Sequence, residues 1–235
     1  MPPQSDLALP YAFSLARNRV VKRAFDILGA TVLLAASSPL LLLSALAVKL
    51  TSRGPVLFGH RRCGKGGRSF ICLKFRTMVA DAEAWLDRDP ELREEYRRNG
   101  FKLPRNRDPR VTQVGHVLRF THLDELPQLL NVLRGQMSLV GPRPVVQDEL
   151  EWYDGRRNQL LSVKPGIFGP WTAQGRRRPD YPERVDVELS YTRKMSFLKD
   201  IEILVRNVPV VFTGQVEEDP GPVEGDPKEE RLRDA

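Results

Sequence analysis

The longest apolar stretch of the chain runs from Ile27 to Val48 without a charged residue, which is long enough for a membrane helix by length alone. Ser37, Ser38 and Pro39 interrupt it at its midpoint. Each half, about 11 residues, is about 17 Å long as helix against a hydrocarbon core of about 30 Å, so neither half crosses alone. Basic residues flank both ends: Arg17, Arg19, Lys22 and Arg23 before the run, and Lys49, Arg53, Arg61 and Arg62 after it. Such charge marks a cytoplasmic side. The pattern predicts a re-entrant membrane helix-break-helix over residues 17–53 that enters and leaves on the cytoplasmic face. Ser38 and Pro39 form its bend, and serine hydroxyls re-satisfy the backbone groups that the proline frees. A Pro-kinked spanning helix and a buried helix of a soluble protein are the alternatives. The run is too long for a cleaved signal peptide and lacks a clear small-residue cleavage site. Residues 1–16, with three prolines and little pattern, read as a flexible leader.

Beyond the apolar run, Val56 to Phe58 and Phe70 to Phe75 supply β-formers on either side of the basic turn G-K-G-G-R, which predicts a small β-hairpin. The turn lacks the spacing of a Walker motif. Lys74 and Arg76, two apart, fall on one face of the second strand. Residues 79–99 read as helix with a break at Asp89-Pro90, followed by a basic loop from Phe101 to Pro109. Leu126, Leu129, Leu130 and Leu133 recur at helical spacing before a stop at Gly135, which predicts a short amphipathic helix headed by Asp124 and Glu125. Thr121 and Asp124 are both candidate caps, and Pro127 favours the later start because proline is comfortable in a first turn. Further helices are predicted over Val145 to Ser162 and over 183–213, the latter with Ile201, Leu204, Val205 and Val208 on one apolar face. The fold class is α+β, mostly helical: a membrane hairpin over 17–53, a compact cytosolic catalytic domain over 54–215, and a disordered acidic tail over 216–235.

Composition narrows the partners. With 235 residues and 41% hydrophobic content the chain buries one good core. Its net charge of +7 conceals an asymmetry, because residues 216–235 carry eight acids and three bases and leave +12 on the rest. A basic body calls for an anionic partner such as nucleic acid, lipid headgroups or phosphorylated substrates. Nucleic acid is set aside, since no zinc-finger or ribonucleoprotein motif occurs and a membrane hairpin has no place in such a module. Cys63 and Cys72, nine apart, fit no zinc spacing and read as reduced cytosolic thiols with no structural metal.

Candidate chemistry gathers at the Asp124-Glu125 dyad. A helix N-terminus stabilises an ionised carboxylate and attracts phosphate, which permits nucleophilic attack on a phosphorylated substrate. Plain helix capping by the same acids is the competing account. Arg143 stands between two prolines in G-P-R-P, a rigid loop that holds a guanidinium in place. Trp171 with Arg176 to Arg178 forms a loop suited to stacking a base and pairing phosphates.

Five motifs, in order, carry a resemblance that spans about Lys22 to Val211. They are K-R-A-F-D before the apolar run, K-F-R-T-M at 74–78, D-P-R-V-T at 108–112, L-R-F-T-H-L-D-E-L-P-Q-L-L-N-V-L-R-G-Q-M-S-L-V-G-P-R-P at 118–144, and K-P-G-I at 164–167. Together they resemble the bacterial sugar transferase family, the monotopic polyprenyl-phosphate phosphoglycosyl transferases, in the short form without the four-helix membrane domain of larger relatives. The resemblance implies transfer of a sugar 1-phosphate from a UDP-sugar to undecaprenyl phosphate with release of UMP, at the cytoplasmic face of the inner membrane. It implies Asp124 as nucleophile, Glu125 as the support of Mg2+, and Lys74, Arg76, Arg119, Arg143 and Arg176 as the basic substrate-binding set. It also implies the initiating step of exopolysaccharide, capsule, O-antigen or glycoprotein glycan assembly, with downstream glycosyltransferases and a homodimer as further partners. The alternative is a catalytically inactive membrane-attached scaffold. Two departures stand where substrate recognition is expected: W-T-A-Q-G-R at 171–176 where many relatives read W-Q-V-S-G-R, and His60 where many carry Gln.

Overall fold

The computed structural model describes residues 8–98, 103, 108–174 and 181–213. The acidic tail, Arg176 to Arg178 and residues 1–7 of the leader lie outside this set. The rest of the leader is helical, because α1 runs from Ala8 to Thr51. Pro10 falls in its first turn, where a missing N–H costs nothing.

The expected interruption at Ser37-Ser38-Pro39 is not a break, since α1 continues through Pro39. Pro39 has no N–H for the carbonyl of Ala35, four residues back. Ser38 Oγ donates to that carbonyl at 2.8 Å, and Ser37 Oγ donates to Leu33 O at 2.6 Å. The re-satisfaction expected of the serine hydroxyls thus keeps the helix whole.

The hairpin β1 (Leu57–Cys63) and β2 (Ser69–Phe75) is antiparallel, with Phe58 opposite Lys74, His60 opposite Cys72 and Arg62 opposite Phe70. The helices α2 (Ala82–Arg88) and α3 (Pro90–Arg98) follow, separated at Asp89-Pro90 as expected. Then comes α4 (Gln113–Phe120), capped by Thr112, whose Oγ1 accepts from the Gly115 N–H at 2.9 Å. A 3-10 turn over Leu123–Glu125 leads to α5 (Gln128–Leu133). After these come β3 (Ser138–Val140), a 3-10 segment (Asp148–Arg156), α6 (Arg157–Leu160), β4 (Gly166–Phe168), α7 (Glu183–Arg193) and α8 (Phe197–Thr213).

The 145–162 region is therefore not one α-helix, and Asp154, at φ 44°, marks where its regular geometry fails. The 183–213 region is two helices, with α7 ending at Arg193 and α8 starting at Phe197. The strands β3 and β4 pair in parallel, Ser138 with Gly166 and Val140 with Phe168. A Cβ on Gly166 would lie 2.1 Å from the Gly141 nitrogen. Only glycine allows the two backbones this close.

One core cluster joins Ala30 of α1 to Phe70, Cys72, Leu129, Val132, Leu139, Tyr191 and Ile203. A second joins Val48 of α1 to Phe75 and Leu118, with Leu41 and Ala45 packed alongside. The helix α1 therefore belongs to the core at both ends of its apolar stretch. Its other faces expose Leu28, Val32, Leu42, Leu43, Leu46 and Leu50.

Polar clasps reinforce each end. Lys22 Nζ donates to Asp200 Oδ2 and Val140 O, and the Arg23 guanidinium donates to the carbonyls of Val132 and Leu133 at the end of α5. Asp26, 2% exposed, accepts from Ser138 Oγ and the Leu139 N–H. At the far end, Arg76 donates to the carbonyl and hydroxyl of Ser52.

Candidate active site

The dyad lies between two helices and not in the first turn of one. Thr121 is the C-cap of α4, His122 turns the chain with φ 56°, and Asp124 and Glu125 occupy the 3-10 turn that follows. Pro127 is the N-cap of α5. Neither Thr121 nor Asp124 caps α5, so the helix-dipole argument weakens and the site draws its charge from side chains. A left-handed histidine is uncommon, and nothing in the local sequence announced it.

Lys74 comes from the end of β2. Its Nζ donates to Glu125 Oε1 at 2.5 Å and stands 4.0 Å from Asp124 Oδ2. Asp124 is 7% exposed, and its pKa is pushed up to about 6. Burial is the main cause and the Glu125 charge adds to it, while Lys74, Arg119 and His122 oppose it. Burial also pushes Glu125 upward, but Lys74, Arg143 and the Lys74 hydrogen bond outweigh it and hold that carboxyl well below the usual range. The two acids thus differ: Glu125 stays ionised, and Asp124 is a carboxyl of raised basicity.

Arg119, in the last turn of α4, reaches the site with its Nε donating to Thr77 Oγ1 at 2.9 Å. Arg143 faces Glu125 from the G-P-R-P loop, and its guanidinium lies 5.9 Å from the Trp171 ring centre. The backbone N–H of Arg143 donates to Glu188 Oε2 at 3.0 Å, and Glu188 is wholly buried. Arg62 pairs with Glu149 at 3.3 Å on the same side. Arg76 is placed elsewhere: it is 6% exposed and directed to Ser52 at the end of α1. Arg176 lies outside the described residues. The sequence reading missed His122, Thr77, Arg62, Glu149 and Glu188. Only His122 and Thr77 lie within a motif that it used, at 118–144 and 74–78.

Among the described residues no three His, Cys, Asp or Glu side chains cluster as a metal site. A divalent cation held by one carboxylate and completed by phosphate oxygens and water needs no such cluster, and Mg2+ is commonly held so. Glu125, ionised and 29% exposed at its side chain, fits that requirement.

An activated buried carboxylate, an ionised partner and converging cations define an enzyme of the group-transfer kind, built around an apolar N-terminal helix long enough to anchor in a membrane. Its family is specific. The model of the bacterial sugar transferase family matches residues 17–214, and the chain belongs to that family. It is 46% identical over 196 residues to the exopolysaccharide production protein ExoY of Rhizobium meliloti, covering 82% of this chain and 85% of that protein. It is 44% identical over 200 residues to the undecaprenyl-phosphate galactose phosphotransferase of Salmonella typhimurium, with 83% of this chain and 41% of that protein covered. A UDP-glucose:undecaprenyl-phosphate glucose-1-phosphate transferase of Caulobacter vibrioides is 38% identical over 200 residues, covering 82% of this chain and 70% of its own length. The class is that of sugar-phosphate transferases.

Proposed function

We propose that this enzyme transfers a sugar 1-phosphate from a UDP-sugar to undecaprenyl phosphate through a covalent intermediate on Asp124, as the first step of an exopolysaccharide or related glycan. The observation that carries the reading is the Asp124 carboxylate, 7% exposed and of raised pKa, beside the Lys74 ammonium that also binds Glu125. Relatives named for UDP-sugars and undecaprenyl phosphate support the substrate pair.

Asp124 attacks the phosphorus that bears the sugar, and the bond to UMP breaks with its electron pair leaving on the UMP oxygen. Lys74 and Arg143 offset charge on the phosphoryl oxygens and the departing nucleotide. An oxygen of the lipid phosphate then attacks the same phosphorus, the acyl-phosphate bond breaks, and Asp124 is restored as a carboxylate. Arg119 holds the lipid phosphate. Glu125 would hold Mg2+, which when bound supplies further charge neutralisation at the diphosphate.

Attachment through α1 is re-entrant in this reading, the helix bending at Pro39 without a break in its backbone, with the domain at the cytoplasmic leaflet of the inner membrane. Both ends of the apolar stretch are tied to one domain, by Asp26 to β3 and by Ser52 to Arg76. A helix that crossed the bilayer between those points would need its two ends on opposite sides.

The test is intact-protein mass spectrometry after incubation with a UDP-sugar and Mg2+ but no acceptor. An added sugar-phosphate mass with stoichiometric UMP is expected in the wild type and not in Asp124→Asn. EDTA and Glu125→Gln should each suppress the adduct. Full turnover by Asp124→Asn would refute the mechanism.

A further inference from the structure

The inner face of the β-hairpin holds a side chain that the mechanism above does not use. The register places Phe58, His60 and Arg62 opposite Lys74, Cys72 and Phe70, so all six lie on one face of the hairpin. Two cations on that face are already committed, Lys74 to the dyad and Arg62 to Glu149. His60 stands between them, one cross-strand diagonal from Lys74. Its side chain is exposed, although Cys72 directly opposite is buried. Among the described residues its imidazole has no hydrogen-bond partner, and the Phe58 ring lies tilted to it at 6.1 Å between ring centres.

The electrostatics fix its form. Burial of part of the ring lowers its pKa, and the positive charges of Arg62 and Lys74 lower it further against the opposing pull of Glu149. At neutral pH the ring is uncharged, with one nitrogen donating and the other accepting. A group that offers both functions without charge suits a hydroxyl, which also donates and accepts. The adjacent cations suit the phosphates.

We infer that His60 is a substrate-binding residue whose neutral imidazole hydrogen-bonds a carbohydrate hydroxyl of the nucleotide-sugar donor. The inference rests on the proposed function and deepens it. Two parts of the donor supply such a hydroxyl, the transferred sugar and the ribose of the leaving nucleotide.

The experiment compares the full-length wild type with His60→Ala and His60→Gln, in detergent with undecaprenyl phosphate and Mg2+, reading UMP release. One neutral hydrogen bond contributes about three- to tenfold in affinity, so His60→Ala should raise the donor KM by about that factor with kcat nearly unchanged. His60→Gln, whose amide also donates and accepts, should recover most of the loss. A contact to the transferred sugar raises KM in His60→Ala and leaves inhibition by UMP unaltered, and if the hydroxyl is the one on C4, where UDP-glucose and UDP-galactose differ, it also changes the kcat/KM ratio between them. A ribose contact leaves that ratio alone, weakens inhibition by UMP by the same factor as the KM, and loses its effect against 2′-deoxy-UMP or 3′-deoxy-UMP. Unchanged KM, ratio and inhibition in His60→Ala would overturn the inference while leaving the proposed function standing. A wild type that releases UMP from no UDP-sugar would overturn both.

Discussion

Burial costs Asp124 part of the charge that nucleophilic attack requires. A carboxyl that titrates near 6 when folded, against an ordinary 3.8, contributes stability that is complete below the lower value and lost as pH rises through the higher. The ionised side chain therefore destabilises the fold above pH 6, by up to about 3 kcal/mol. Asp124→Asn is expected to raise the melting temperature at pH 7.5 while abolishing turnover, with the stabilisation disappearing near pH 4. A capping role would give a different result, because Asn replaces a capping Asp with little change in stability. Thermal unfolding of both proteins at the two pH values separates these accounts. The same titration acts on the chemistry: adduct formation should fall about tenfold per pH unit below 6 as the nucleophile becomes protonated.

Elements that declare themselves over many residues were legible, and those set by a single backbone angle were not. The apolar run, the hairpin around G-K-G-G-R and the break at Asp89-Pro90 all follow from periodicity or from glycine and proline. The separation of α4 from α5 turns on His122 at φ 56°, which residue type alone does not signal. The strands β3 and β4, three residues each, are too short to show an alternating pattern. Within the site, Lys74, Asp124 and Glu125 were legible because two motifs contain them. Glu149 and Glu188 were not, because they meet Arg62 and Arg143 from 87 and 45 residues away. Proline at position 39 was read as a break because its missing N–H is visible in sequence, whereas the compensating bond from Ser38 to Ala35 depends on geometry. That bond makes a specific prediction. Ser38→Ala should cost about 1 kcal/mol by leaving the Ala35 carbonyl without a donor, and adding Pro39→Ala should restore it by returning the backbone N–H. Half-lives of UMP-releasing activity at elevated temperature for the two variants measure the cycle. A double variant no more durable than Ser38→Ala would remove this role from the serine.

At the scale of the whole molecule α1 and the elements after it share one interior, since Ala30 and Val48 of α1 are as buried as Val132 or Leu139. Single cysteines introduced at Ser5 and Ser69, with Cys63 and Cys72 replaced, are expected to react with impermeant reagents only from the cytoplasmic side. Periplasmic labelling at position 5 would rule out the re-entrant arrangement.

The clasp between Lys22 and Asp200 also sets an order of events during synthesis. These residues are 178 positions apart, and a ribosome adding about 5 to 20 residues per second needs roughly 10 to 40 s to make that span. For most of that interval α1 has been made but Asp200 has not, so Lys22 has only water for its partner until the Val140 carbonyl is made and keeps that single partner until Asp200 follows. Arg23 waits a shorter time for the end of α5. The N-terminal end of α1 is thus among the first parts of the chain to be made and among the last to gain all its partners.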